Sequence, residues 1–326
     1  MHAGLLAAQV PGATLAAVSD ALPDVAEEVG RALAVPALST GQLMDDASIG
    51  AVAICSSTGT HVDLIVQAAR AGKYIFCEKP VSLDLGEVDR ALAAVEESGA
   101  QLMVGFNRRF DPAHARVREA VASGELGPPH LLRITSRDPA PPPLSYSRES
   151  GGIFLDMTVH DFDMARYVVG SEVVAVHAAG AVRVQPELAD LGDVDTAVVT
   201  LWHENGCLSV IDNSRRATYG YDQRVEVLGA EGLAASDNPP AHYAVRRDAG
   251  GTRSAALPHF FIERYTAAYL LQWRAFVEAA AQGSPPPTTG ADGRAALVLG
   301  LAAKRSLSEQ RTVSTSEVAG VTGRSP

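Results

Sequence analysis

Three apolar runs, each too short to be a helix, constrain this chain most: Ala51-Val-Ala-Ile-Cys55, Tyr74-Ile-Phe-Cys77 and Gln101-Leu-Met-Val104. Helical segments over 60–71 and 84–98 separate them. Strands that are apolar along their whole length bury both faces, and helices between them supply the cover, so the pattern predicts a doubly wound parallel α/β sheet. It extends backwards into a helix over the first ten residues, a strand Thr14–Ser19 ending on Asp20, a helix 23–34 and a short helix near 41–47.

Beyond Asn107 the pattern changes. A helix over 111–123, a strand 130–137, a Pro-rich loop from Pro139 to Pro143 and a helix 153–169 precede strands near 173–184, 194–203, 206–213, 223–229 and 242–247. Several of these meet at glycine turns such as Glu204-Asn-Gly206, which predicts an α+β domain with a largely antiparallel sheet. Helices over 261–281 and 290–307 close the chain. The expected domains are 1–107 and 108–326, the closing helices packing back.

A net charge of −11 argues against nucleic acid, whose phosphates need clustered Lys and Arg. No apolar run reaches the length of a membrane span, and the apolar N-terminus lacks the basic flank of a signal peptide. Cys55, Cys77 and Cys207 form no CxxC, as expected of reduced thiols in a cytoplasmic protein. Against 24 Arg there are only three Lys: Lys73, Lys79 and Lys304. A lysine retained against that bias is a candidate for a role that arginine cannot fill.

Four places carry candidate chemistry. Asp20 ends a sheet strand, where an acid can accept the ribose hydroxyls of a dinucleotide; it could equally cap or turn into the next helix. Cys55-Ser-Ser-Thr-Gly-Thr-His61 lies at the carboxyl end of a strand, where open α/β sheets bind ligands, with Ser56, Thr58 and His61 as candidates; Thr58 or Thr60 could also simply cap the following helix. Glu78-Lys79-Pro80 leaves the same edge. There an ammonium could bind polyol hydroxyls and ease the loss of a proton, or could form a surface ion pair with Glu78. Asp156 and His160, at i and i+4, share one helix face. A carboxylate that orients an imidazole makes a general base; a metal pair lacks obvious further ligands, and a plain helix-surface contact is the remaining alternative.

Glu78-Lys79-Pro80 together with Asp156-x-x-x-His160 resembles the glucose-fructose oxidoreductase/inositol dehydrogenase/MocA-type family, over almost the whole chain. Gly151-Gly152…Asp156-Met-Thr-Val-His160-Asp-Phe-Asp163, Asp193-Val-Asp195-Thr196 and Asn213-Ser-Arg-Arg216…Tyr219-Gly-Tyr221-Asp-Gln-Arg224 resemble inositol 2-dehydrogenases in particular. The resemblance implies an NAD-binding Rossmann domain, followed by a domain whose open sheet takes part in oligomerisation, as a homotetramer. It implies that Lys79 binds and polarises a polyol, that His160 takes the hydroxyl proton and that Asp156 orients His160. Asp20, Ser56, Thr58, His61, Glu78 and Lys79 would meet the cofactor. Arg109, Asp138 and Tyr221 would meet substrate hydroxyls, although Arg109 could be a structural ion-pair partner. No metal is implied.

The family begins with a strand and G-x-G-x-x-G, a motif this sequence does not contain; the resemblance therefore leads us to expect a Rossmann domain shortened at its N-terminus. The expected activity is NAD-dependent oxidation of a cyclitol hydroxyl, myo-inositol to scyllo-inosose, in inositol catabolism. Alternatives are a dehydrogenase for another sugar or polyol, a non-catalytic sugar or cofactor sensor, and an inactive fragment.

Overall fold

In the computed structural model, residues 1–320 are described; 321–326, within the expected second domain, lie outside the described residues. Two compact units form, one from Met1–Asn107 with Ala267–Ala295, the other from Arg108–Thr266 with Ala296–Pro326.

The first unit opens with helices α1 (His2–Ala8), α2 (Pro23–Leu33) and α3 (Thr40–Asp45). Strand β1 (Ala51–Ile54), helix α4 (Thr58–Arg70), strand β2 (Tyr74–Cys77), helix α5 (Leu85–Ser98) and strand β3 (Leu102–Val104) follow. The strands pair in parallel in the order β1-β2-β3, and β2 and β3 are buried at every residue, as parallel strands covered on both faces must be.

The expected strand 14–19 forms a single parallel bridge, Val18 to Ala37. Val18 donates to Pro36 O and Leu38 donates to Val18 O. Its neighbour has room for nothing longer. α2 ends on Ala34 in the left-handed conformation and Ser39 caps α3, leaving four residues between, one of them a proline without an N–H.

The second unit begins with a 3₁₀ turn over Asn107–Phe110, of which Asn107 belongs to the first unit. Helix α6 (Pro112–Ala122), strand β4 (Pro129–Arg137) and helices α7 (Leu144–Glu149), α8 (Ile153–Asp156) and α9 (Thr158–Val169) come next. Strands β5 (Val173–Ala181), β6 (Thr196–His203), β7 (Leu208–Ser214), β8 (Asp222–Gly229) and β9 (Leu233–Ser236) follow, then a small hairpin of β10 (Arg246–Asp248) and β11 (Gly251–Arg253). The hairpin starts later than the expected strand at 242–247, and β9 had no counterpart in the sequence reading. Helices α10 (Phe261–Gln282) and α11 (Gly290–Glu309) each divide between the units, and strand β12 (Val313–Ser314) completes a seven-stranded sheet of order β12-β5-β6-β7-β4-β8-β9.

That sheet is antiparallel except where β4 lies parallel to β7. Helix α9 packs on β4 and β7, and α6 on β8 and β9. Among the described residues the opposite face carries exposed apolar side chains. Register places Ala175, Trp202, Leu208, Leu131, Leu228 and Leu233 in one row across six strands of it, and Trp202, Leu208, Leu228 and Leu233 are exposed.

Candidate active site

Parallel pairing in the first unit aligns Ile54 with Cys77 and Cys77 with Val104, so three loops leave one sheet edge together. The loop after β1 presents Ser56 and Ser57, exposed, with Thr58 at the start of α4. Ser57, not Thr58 or Thr60, is the N-cap, and it spends no side-chain hydrogen bond on the first-turn amides. Ser56 Oγ and Thr60 Oγ1 lie 2.7 Å apart.

His61 is buried and braces two of these loops. Its Nδ1 is 2.9 Å from Pro80 O and its Nε2 is 3.0 Å from Ser56 O. Its ring thus ties the serine loop to the Glu78-Lys79-Pro80 loop, whose Lys79–Pro80 peptide is cis. Lys79 is half-buried there. Glu78 Oε2 accepts from the Lys79 amide at 3.2 Å. Trp273 Nε1 donates to His2 Nδ1, which leaves His2 Nε2 to carry the proton, 3.1 Å from Glu78 Oε1. Gly105 makes room for this carboxylate, since a Cβ there would lie 2.9 Å from Glu78 Oε2.

Asp20 is exposed beyond the Val18 bridge, and its Oδ1 accepts from Leu22 N at 2.9 Å. That is the turn alternative, and it engages one carboxylate oxygen. Exposed hydroxyls at a carboxyl sheet edge, an exposed acid after the Val18 bridge and a helix start without a side-chain cap are the kinds of group that meet the phosphates and ribose of a dinucleotide.

Of the other two lysines, Lys73 is buried and donates from Nζ to Asp46 O and Ile49 O, at 2.7 and 2.8 Å, at the end of α3. Lys304 Nζ reaches Gly151 O at 3.4 Å. Both hold main-chain carbonyls.

The second unit gathers Asp138, Asp156, Arg215 and Tyr146. Asp156 ends α8 and His160 sits in the first turn of α9; Met157 between them keeps right-handed helical angles (φ −95°, ψ −59°). A single helix was expected over 153–169. The path is instead tightened at the join, where His160 N bonds to Met157 O three residues back. Gly152, with φ +84°, starts α8; a Cβ there would lie 2.7 Å from Asp193 Oδ1, the oxygen that accepts from Ile153 N.

Asp156 Oδ1 accepts from Tyr146 OH at 2.8 Å, and Asp156 Oδ2 lies 3.1 Å from Arg215 Nη2. Arg215 Nη1 is 3.9 Å from Asp138 Oδ2. Burial pushes the Asp138 carboxyl up to about 6, against the pull of Arg215 and Arg108 and with the push of Asp156 and Asp161. Tyr221 is buried, its ring edge-on to Tyr265, and burial raises its hydroxyl well above the usual range, against the pull of Arg108.

Arg109 takes the ion-pair alternative. Its Nε and Nη2 fork onto Asp163 at 2.8 and 2.5 Å, and its guanidinium lies over the Tyr167 ring at 5.0 Å. Its neighbour Arg108, which the sequence reading passed over, is central. Arg108 Nη1 donates to Asp161 Oδ1 and Ser136 Oγ, at 2.5 and 3.2 Å; Asn213 Nδ2 donates to Asp161 Oδ2, and Thr158 Oγ1 to Asn213 Oδ1. This buried network pins the first turn of α9, and so His160, to β4 and β7. Arg215 and Tyr146 were missed as well; Arg215 stood inside the quoted Asn213-Ser-Arg-Arg216 motif, while nothing local marks Tyr146.

Residues 1–106 match the model of an oxidoreductase family with an NAD-binding Rossmann fold, and 114–235 match the GFO/IDH/MocA C-terminal domain. A myo-inositol 2-dehydrogenase of Thermotoga maritima is 49% identical over 313 residues, 95% of this chain and 94% of that one. An inositol 2-dehydrogenase of Rhizobium meliloti is 46% identical over 303 residues, 93% and 92% of the two chains. The crystal structure of a scyllo-inositol dehydrogenase from Lactobacillus casei, with bound NAD(H) and scyllo-inositol, superposes with a TM-score of 0.89 at 28% identity over 96% of this chain and 95% of the other. Matched in both domains and along nearly its whole length, the chain belongs to the Gfo/Idh/MocA family of NAD-binding oxidoreductases.

Proposed function

We propose that the chain is an NAD-dependent inositol 2-dehydrogenase, oxidising one ring hydroxyl of a cyclitol to a ketone, with myo-inositol giving scyllo-inosose. The observation that carries this reading is the gathering of Asp138, Asp156, Tyr146 and Arg215 beside the helix turn that holds His160. Carboxylates, a phenol and a guanidinium on one small surface suit a ligand whose every carbon bears a hydroxyl. Dehydrogenases of inositols among the relatives support the same substrate class.

NAD, when bound, supplies the hydride acceptor. His160 takes the proton of the reacting hydroxyl as general base, and Asp156 holds its ring in place. Lys79 binds the polyol oxygens and stabilises the developing alkoxide. Asp138 and Tyr221 bind further hydroxyls, and Arg109 supports α9 through Asp163. Asp20 holds the adenosine ribose; Ser56 and Thr58 line the cofactor loop, while Glu78 and His61 set its shape.

The exposed row on the second unit's sheet supports self-association, which we assign to a homotetramer. Reduced thiols are consistent with a cytoplasmic enzyme of cyclitol catabolism; Cys77 and Cys207 are buried and Cys55 exposed, all free. No helix among the described residues is long and apolar enough to cross a membrane.

The test is spectrophotometric. The purified protein is mixed with NAD and a panel of myo-inositol, scyllo-inositol, glucose and linear polyols, and formation of the reduced cofactor is followed. Turnover of an inositol with the highest kcat/KM supports the reading. Preference for a linear polyol or glucose would reassign the substrate, and binding without turnover would favour the sensor.

A further inference from the structure

Arg215 is almost wholly buried, at 2% exposure, and follows directly on β7. Its backbone is fixed by a bond from its N–H to Asp195 O at 2.8 Å, and the Asp195 carboxylate itself accepts the Arg183, Val184 and Gln185 amides. The side chain therefore projects from a rigid base. It meets two carboxylates unequally: Asp156 within hydrogen-bonding distance, 3.1 Å, and Asp138 only at 3.9 Å. Asp156 gains a further donor in Tyr146 OH.

Here the two carboxylates do not share the guanidinium evenly. The nearer, doubly donated one keeps its charge, and the farther one bears the repulsion. The groups facing Asp138 are Arg215, Arg108 from the 3₁₀ turn, Asp156 from α8, Asp161 from α9, and the phenols of Tyr146 and Tyr221. Arg215, Tyr146 and Asp138 are among those facing Asp156, and His160 follows four residues on, in the first turn of α9.

We propose that Arg215 is a positioning residue that sorts the two acids: it holds Asp156 ionised and aimed, and leaves Asp138 as the carboxyl able to carry a proton and donate it in a hydrogen bond to a bound hydroxyl. This rests on the assignment of Asp156 and Asp138 to the site of polyol oxidation. It adds a division of labour between the acids and a residue that enforces it. Asp156 must be an acceptor to orient an imidazole; Asp138, if neutral, can donate to a hydroxyl oxygen, whereas an ionised carboxylate can only accept from a hydroxyl.

The test needs no substrate. Aspartate is labelled at its carboxyl carbon, and the side-chain resonances are titrated by NMR in the full chain, with Asp138→Asn and Asp156→Asn identifying the two signals. In the wild-type protein the Asp156 midpoint should lie below that of Asp138; the reverse order overturns the proposal, whatever the variants do. In Arg215→Gln the Asp156 midpoint should rise by about 1–3 pH units, the usual effect of one adjacent guanidinium, and Arg215→Lys should recover most of the shift. An Arg215→Gln protein with wild-type circular dichroism and an unmoved Asp156 midpoint would reduce Arg215 to a structural residue. Because the titration is done without substrate, its failure leaves the inositol assignment standing, and failure of inositol turnover leaves the titration unchanged.

Discussion

At the scale of single residues, the rarity of a type draws attention without assigning a role, and neighbours of one type cannot be told apart. Lys79 stood out because lysine is rare here, yet the same rarity applies to Lys73 and Lys304, which hold backbone carbonyls. An ammonium with three freely placed donors serves converging carbonyls as well as it serves a substrate. Arg108 and Arg109 are adjacent and chemically identical, so only the fold could show that Arg108 reaches Asp161 while Arg109 reaches Asp163. The roles proposed above lead to two predictions. His160→Ala should lower kcat for the inositol substrate by roughly 10²–10⁴-fold, the usual contribution of a positioned base. Lys79→Arg should be severely impaired in the same steady-state assay, since the bulkier guanidinium cannot take the ammonium's place. Asp20 bears on the choice of cofactor, because its carboxylate would meet a 2′-phosphate with like charge. The wild-type protein should prefer NAD to NADP, and Asp20→Ser should cut the ratio of the two kcat/KM values at least about fivefold, given that repulsion of like charges is worth on the order of 1 kcal/mol or more. An unchanged ratio would confine Asp20 to its turn with Leu22.

At the scale of elements, apolar runs announced β2 and β3 because strands covered on both faces have no polar face to confuse with a loop, and β1 because even its exposed position, Ala53, is apolar. The strand expected at 14–19 failed for a reason invisible in its own residues: its neighbour is cut short by Pro36 and by the start of α3. The join of α8 and α9 was likewise hidden, since Ile153–Val169 is a good helical sequence and only the geometry at Met157 divides it. The Asp193-Val-Asp195-Thr196 motif, quoted for its resemblance alone, gains a physical meaning. Asp193 tethers the start of α8, and Asp195 gathers three amides of the turn after β5. Burial alone would raise the Asp195 carboxyl, but these amides and Thr196 outweigh it and hold it below its usual 3.8. A lowered folded-state value stabilises the fold above the unfolded value, and that stability is lost as the pH falls through the folded one. Wild-type protein should therefore exceed Asp195→Asn in denaturant-derived stability, by on the order of 1–2 kcal/mol, with a difference that is flat above about pH 4 and shrinks below it. A difference independent of pH would mean that the charge contributes nothing.

At the scale of the whole molecule, the bare row on the second unit's sheet is the feature most at odds with a solitary chain. Trp202 and Leu208 adjoin, as do Leu228 and Leu233, with half-buried Leu131 of β4 joining the two pairs, and contiguous exposed apolar surface marks an interface more often than chance. Leu208→Arg, near the centre of that row, should shift the protein to smaller species in sedimentation velocity while its circular dichroism stays native; an unchanged sedimentation coefficient would place the contact elsewhere.

Strand β4 has a consequence in time. It lies between β7 and β8, although about seventy residues or more separate it from either along the chain. Strands β6 and β7 are joined by a short turn and can zip locally, but β7 and β8 cannot complete their inner edges until β4 inserts, and contacts so distant in sequence form slowly. The same strand carries Ser136, and Asp138 follows it directly. Refolding followed by far-ultraviolet circular dichroism should therefore run ahead of the return of dehydrogenase activity, with Val199→Ala on β6 slowing the early phase and Ile134→Ala on β4 the late one. A chain emerging from synthesis would stay catalytically silent until its most distant strands had met, so that no half-built form of it could run the oxidation proposed for the finished one.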